Sequence, residues 1–279
     1  MNEEGIKRLR LYNKAGHLIG NHSHSHPNFL NTGLAHYRED FLQAHQLLKQ
    51  FDNFIPYFRY PYLRERETLK KREGMRKVLR ENEYRNAYIT LNNYDWYIED
   101  LFQKAVREGK NINLLRFSKM YVDVLMQSIN YYDDLAVKHL GRSPKHVLLL
   151  HKTDMSALFI GDLVQKLRRE GWEIISMEEA YQDPIAQYAV KKPLKYNPRR
   201  IGEIALDRGQ KKGSGIIPWK SPTLIKDSSK RSCYFQIISE RPVPYSTLSR
   251  KLRPQRSAPG LYWCCAPPDF FHPGKPGWA

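Results

Sequence analysis

The first 190 residues contain no cysteine. All three in the chain, Cys233, Cys264 and Cys265, lie in its last third. An odd count with one adjacent pair makes no disulfide framework, and the lack of any C-x-x-C pair argues against a cysteine-held zinc. Long apolar runs are missing too. Nothing approaches the roughly 18–20 consecutive apolar residues of a membrane span, so no membrane span is expected. The opening stretch MNEEGIKRLRLYNKAG is charged and helix-like, with no apolar segment after it. No secretory signal is visible, and the chain as written is expected to stay in the cytoplasm. There are no internal repeats.

Proline is sparse at first and then abundant: 12 of the 17 lie in residues 191–279. Acid shows the opposite trend. Residues 1–190 carry 28 Lys+Arg against 24 Asp+Glu, a net of +4, whereas residues 191–279 carry 18 against 5, a net of +13. The overall charge of +17 therefore belongs mainly to the tail. A uniformly basic domain would suggest nucleic acid. A near-neutral domain with a basic appendage does not, and no nucleic-acid partner is expected.

What is present in residues 1–190 is an alternation of helical and strand patterns. EEGIKRLRLYNKAG reads as a helix with Ile6, Leu9 and Tyr12 on one side, closed by Gly16. HLIGNH is a short apolar strand. In AHYREDFLQAHQLLKQF, Tyr37, Phe41, Ala44, Leu47, Leu48 and Phe51 recur at helical spacing. YFRYPYL is a strand end or loop, and ETLKKREGMRKVLREN a helix. AYITLNNYDW reads as a strand with a polar end. Helices follow near 98–108 and 113–140. KHVLLLH is a buried-type strand, LFIGDLVQKLRREGW a helix, EIISM a final strand, and EEAY the start of a last helix.

Strands alternating with helices imply a parallel sheet, as an α/β layer or a barrel, with functional residues at the C-terminal ends of strands. Four such exits carry chemistry-capable side chains: His22 to His26, Arg59 to Tyr62, Asp95–Trp96, and His151. The i, i+4 spacing of His22 and His26 would set two imidazoles on one side of a helical turn, in reach of one metal ion. His24 would point elsewhere, and the small Ser23 and Ser25 would leave the ion accessible. A solvated loop is the alternative. A third ligand is often a carboxylate, but Glu39 and Asp40 sit on the next helix. Arg59 has a planar fork suited to a carboxylate. The proline–aromatic pair Pro61–Tyr62 can free a backbone N–H for an oxyanion, or it is simply an aromatic loop. Asp95 can tune a histidine or cap the following helix. His151 is placed for acid–base work or is a satisfied structural histidine.

In combination these motifs resemble the polysaccharide deacetylases with the NodB homology domain, carbohydrate esterase family four. The resemblance spans residues 1–185 in the family's motif order. His22-Ser23-His24-Ser25-His26 matches His-Ser/Thr-x-x-His, and Arg59-Tyr60-Pro61-Tyr62 matches Arg-x-Pro-Tyr. Asp95-Trp96 matches the Asp-Trp pair, and Leu149-Leu150-His151 matches Leu-x-His. LVQKLRREGWEIISMEEA resembles the family's last helix, strand and helix.

The resemblance implies a deformed (β/α) barrel and metal-dependent removal of acetyl groups from N-acetylated glycans, the expected substrate and partner. His22 and His26 would ligate zinc or a similar divalent ion. The Tyr62 backbone N–H would help hold the oxyanion, and His151 would protonate the leaving amine, oriented by Asp95. Trp96 and Leu149 would line the pocket, and Arg59 would hold the catalytic aspartate. That aspartate belongs to the family's first motif, an Asp-Asp pair at the end of the first strand, which has no counterpart ahead of the helix at residues 3–15. The expectation is therefore an incomplete NodB-type barrel lacking its first strands over residues 1–190. Its metal site would be short of a carboxylate and its catalysis impaired. The alternative is a non-catalytic carbohydrate- or metal-binding remnant. Family members often act at the cell envelope or outside the cell. Residues 191–279 are expected to form an irregular or disordered basic Pro-rich tail, which from about 213 reads like out-of-frame translation.

Overall fold

The computed structural model describes residues 3–65, 68–188 and 199–210, together with the backbone of residues 261–262. The expected character of residues 213–279, including all three cysteines, lies outside the described residues apart from that backbone pair. The chain divides into two compact units.

The first unit holds α1 (Glu3–Lys14), β1 (Leu18–Asn21), α2 (Leu34–Leu48), β2 (Phe54–Phe58), α3 (Leu69–Glu81) and β3 (Arg85–Asn86). The strands run parallel in the order β3-β2-β1, and the backbone of Leu261–Tyr262 (β4) lies parallel beside β1. The α/β character with a parallel sheet is as expected, and the sheet that the described strands form is small and not closed. The helices form where the sequence places their boundaries. Gly16, at a φ of +83° that few other residues adopt, ends α1 and donates to Asn13 O (3.0 Å). Thr68 caps α3 by accepting from Lys71 N (3.2 Å).

Amphipathic spacing decides the packing. Tyr37, Phe41, Ala44 and Leu48 form the buried stripe of α2. Phe41 and Tyr37 join Phe58 of β2 and Met75, Val78 and Leu79 of α3 in one cluster. Ala44 and Leu48 join Leu9 of α1 and Ile19 of β1 in another. α2 contributes to both clusters, and Phe54 of β2 packs against both, so one helix stripe serves the two neighbouring strands.

The second unit contains α4 (Asp95–Arg107), α5 (Leu114–Leu140), α6 (Asp154–Arg169), α7 (Met177–Ala180) and α8 (Arg199–Asp207). α5 is capped by Asn113, which accepts from Arg116 N (3.0 Å), and ended by Gly141 at φ +77°. Its buried face includes Tyr121, Leu125, Ile129 and Tyr132. α8 buries Ile201, Ile204 and Ala205, and α5 packs against both α6 and α8. α8 lies inside the stretch expected to be irregular from residue 191. Its apolar period spans only nine residues, flanked by proline and basic residues, too short to stand out in a proline-rich context.

The strands expected at AYITLNNYDW, KHVLLLH and EIISM do not form ladders. The first two meet only in a parallel bridge, Leu91 with Leu148, and residues 173–176 form no strand among the described residues. Side chains explain the short bridge. Val147 N donates to the Thr90 hydroxyl (2.7 Å) in place of a backbone carbonyl, which interrupts the repeat that a ladder needs.

Candidate functional site

In the first unit the site is built at the exits of two neighbouring parallel strands. β1 ends at Asn21, which is fully buried. Its amide group donates to Phe41 O (3.1 Å) and to the Tyr84 hydroxyl (3.4 Å), while its carbonyl accepts from Ser23 N (2.8 Å). The chain then turns sharply. Ser23 (φ +69°) and His26 (φ +56°) adopt left-handed backbone, which is uncommon for residues with a Cβ and persists only where the surroundings hold it.

Side-chain oxygens do the holding. Four consecutive amides each donate to one: Ser23 to Asn21, His24 to Asp40 Oδ2 (2.7 Å), Ser25 to Asp40 Oδ1 (3.0 Å), and His26 to Ser23 Oγ (3.1 Å). Ser25 Oγ also donates to Asp40 Oδ1 (2.5 Å).

The expected helical turn is thus corrected. Residues 22–26 form a side-chain-braced kink, and this kink, in place of an i, i+4 helical face, brings the His22 and His26 rings to 4.9 Å between centroids. The serines act as structural acceptors and donors within the loop, a role beyond being small. His22 is buried, and its Nδ1 lies 2.7 Å from the Arg59 carbonyl. A carbonyl only accepts, so Nδ1 carries the proton and the lone pair is on Nε2, the tautomer a metal-ligating imidazole needs.

β2 leads into the second piece. Arg59 N donates to Asn21 O (3.0 Å), extending the β1–β2 pairing by one bond. The buried Arg59 side chain donates through Nε to Ala87 O (3.2 Å). Pro61 opens a short 3₁₀ turn, Pro61–Leu63, in which Tyr62 and Leu63 both have positive φ (+55° and +56°). The turn throws Tyr62 outward, 44% exposed, with its ring 4.7 Å from that of His26. His22, His26, Tyr62 and the Arg59 carbonyl are therefore brought together.

In the second unit, Asp95, Leu149 and His151 converge. Asp95 is completely buried at the first position of α4. One oxygen accepts from Trp96 N (2.8 Å) and from His151 Nδ1 (2.8 Å), and the other from His151 N (2.5 Å). Asp95 is not the cap of α4, since Tyr94 holds the N-cap position; its carboxylate is the partner of His151. With Nδ1–H on Asp95, the His151 Nε2 is the proton-exchanging atom, on a side chain 34% exposed.

Asn93 completes this arrangement. It accepts from Asp95 N (2.8 Å) and donates to Leu149 O (2.5 Å). Trp96 stands 49% exposed beside Tyr97 (5.9 Å between rings). Asp95→Asn would keep one acceptor where three donors now converge. We expect the His151 Nδ1–H tautomer to lose its preference and stability to fall by about 1–2 kcal/mol. Long-range ¹H–¹⁵N imidazole spectra and urea unfolding would measure both, and an unchanged tautomer would contradict the assignment.

A further constellation resembles catalytic chemistry but is sealed. Thr90 Oγ1, His146 Nδ1 and Nε2, and Asp133 form a hydroxyl–imidazole–carboxylate chain with 3.0 Å links. Thr90 is fully buried, so no substrate reaches it. Burial pushes the His146 imidazole below its ordinary range despite Asp133. Asp133–Asp134, the chain's one Asp-Asp pair, is thereby accounted for within α5.

The donor set fits a divalent ion only in part. His22 and His26 offer two imidazoles at a spacing that can share an ion. Among the described residues, no group of three or more His, Cys, Asp or Glu could hold one. A hydrolytic zinc site uses three protein ligands. Asp40 is not the third: its oxygens are engaged by the loop it braces.

Sequence reasoning missed Asn21, Asn93 and the bracing role of Asp40. An Asn at a strand's last position, before a polar loop, is the signal that could have found the first two.

Comparison with known proteins falls on the first of these clusters. Residues 2–87 match the family model for polysaccharide deacetylase. This span carries the histidine loop and the Arg59–Tyr62 turn, in agreement with the NodB resemblance of those motifs. Asp95–Trp96 and Leu149–His151 lie beyond it. No curated protein and no solved structure matches the chain. Among the described residues, no helix is long and apolar enough to cross a membrane.

Proposed function

We propose that the protein is a metal-dependent de-N-acetylase acting on N-acetylated polysaccharides or oligosaccharides. The observation that carries this reading is the braced loop that sets His22 and His26 side by side with Tyr62, inside the residues that match the polysaccharide deacetylase family. The open parallel sheet is read as a portion of the deformed barrel of NodB type.

His22 and His26 would hold a divalent ion, zinc being suited to imidazole donors. Such an ion, when bound, polarises an amide carbonyl and acidifies a water. The Tyr62 backbone N–H would steady the developing oxyanion, and Arg59 would orient a carboxylate. Trp96 and Leu149 would line the sugar pocket. His151, with Asp95 fixing its tautomer, would give a proton from Nε2 to the departing amine. Water's oxygen joins the acyl carbon as its proton passes to solvent, the carbon–nitrogen bond breaks as nitrogen takes the His151 proton, and acetate and the amino sugar result.

One observation favours a second reading, a non-catalytic carbohydrate- or metal-binding protein: the described residues supply no third metal donor. Incubation with zinc and an N-acetylated chito-oligosaccharide separates the two. Acetate release that requires zinc and disappears in His151→Ala supports the enzyme. Saturable glycan binding without acetate supports the remnant.

A further inference from the structure

We propose that Asp40 is the positioning residue of the histidine pair. Its carboxylate, carried by α2, sets the backbone of residues 24–25 and thereby the separation of His22 and His26. The importance of that pair rests on the metal-holding reading above, whereas the positioning itself can be tested without metal.

The geometry is specific. Between His22 and His26 the chain has three residues in which to double back, and two of the five loop residues take left-handed backbone. The Asn21 and Ser23 side chains stabilise the two ends of the kink from within the loop's own sequence. Its centre, His24 and Ser25, is fixed from outside, by one carboxylate. Asp40 accepts from His24 N at 2.7 Å, from Ser25 N at 3.0 Å and from Ser25 Oγ at 2.5 Å.

A carboxylate suits this task better than an amide, because both of its oxygens accept and each bond is charge-assisted. α2 makes the anchor rigid. One residue beyond Asp40, Phe41 is fully buried and its carbonyl also holds Asn21. Loop and helix are thus joined at two consecutive positions. Asp40 needs no contact with an ion or a glycan for this role. Its neighbour Glu39 has a 75% exposed side chain and pairs only with His36, at 3.7 Å among the described ion pairs. Glu39 therefore serves as the internal control.

The test uses the full 279-residue chain without added metal. Nuclear Overhauser contacts between the His22 and His26 rings, and amide exchange at His24 and Ser25, are compared in wild type, Asp40→Ala, Asp40→Asn and Glu39→Ala. A zinc titration of each follows. In Asp40→Ala we expect the ring–ring contact to vanish and the two amides to exchange at least 100-fold faster. The Phe41 and Ala44 amides should stay protected, and zinc affinity should fall at least tenfold. Asp40→Asn, which keeps one acceptor, should fall between, and Glu39→Ala should match wild type.

An unchanged ring–ring contact in Asp40→Ala would overturn the proposal, as would unaltered zinc affinity despite a loosened loop. Should Asp40→Ala not fold, Asp40→Asn decides by the same readouts. Failure of the wild type to bind zinc would count against the metal reading alone, since the ring contact and amide exchange judge Asp40 independently.

Discussion

Replacing Asn21 by alanine should lower the stability of the protein by about 3 kcal/mol and loosen the histidine loop. Asn21 is fully buried, and its side chain has three partners from three places in the chain: Phe41 O on α2, the Tyr84 hydroxyl, and Ser23 N. Alanine leaves Ser23 N without its acceptor and removes a donor from Tyr84. Burial pushes the Tyr84 hydroxyl up to about 12, so it stays a neutral phenol, paired through His45 Nδ1 at 2.9 Å. A lost buried partner costs about 1–3 kcal/mol, and the vacated volume adds a cavity term.

Asn21→Leu restores volume without restoring the acceptor. It should remain destabilised by about 2 kcal/mol, which isolates the polar part. Urea unfolding of the three proteins measures both numbers. A loss below about 1 kcal/mol for Asn21→Ala would mean that the loop is braced without it.

Asp183→Ala should cost about 3 kcal/mol in the second unit and flatten its acid sensitivity. Arg142 grips the Asp183 carboxylate with two nitrogens (2.8 and 2.6 Å), and Lys145 N and Ile185 N donate to it at 2.9 Å each. The residue clasps the chain just beyond the end of α5 to the 3₁₀ turn Pro184–Gln187. Its removal strands two backbone donors and a guanidinium half open to solvent.

Burial alone would raise the Asp183 carboxyl. The bonds from Arg142 and the two amides outweigh it and pull the value down to about 2. A folded-state value below the unfolded one contributes stability that is present above about pH 4 and lost as the pH falls toward 2, on the order of 2 kcal/mol. Wild type should therefore lose this amount between pH 4 and pH 2, while Asp183→Ala lacks that component. Equal slopes for the two proteins would contradict the clasp.

Much of the fold could be read from residue patterns because those patterns are local. The stripe Tyr37–Phe41–Ala44–Leu48 and the stop at Gly16 each decide a helix within a few residues. The strand at Leu18–Asn21 and the turn after Phe58 were legible for the same reason.

What was not legible depends on contacts distant in sequence. The Leu91–Leu148 pairing stops at one bridge because a threonine hydroxyl, 57 residues from Val147, takes the amide that a ladder would use. The histidine pair has helical spacing in sequence, yet its geometry comes from Asn21 and from Asp40, which lies 14 residues beyond His26. Spacing paired two imidazoles that do lie side by side, but for a conformation they do not adopt. Asp40 was weighed as a ligand and is a brace, a distinction that only the donors around its two oxygens reveal.

The central claim is that His22 and His26 act together on one ion, and calorimetric zinc titration of wild type, His22→Ala, His26→Ala and the double variant tests it most directly. The account predicts one ion per wild-type chain, at least tenfold weaker binding in either single variant, and no binding at that site in the double variant. Zinc binding by the double variant with wild-type affinity would contradict it.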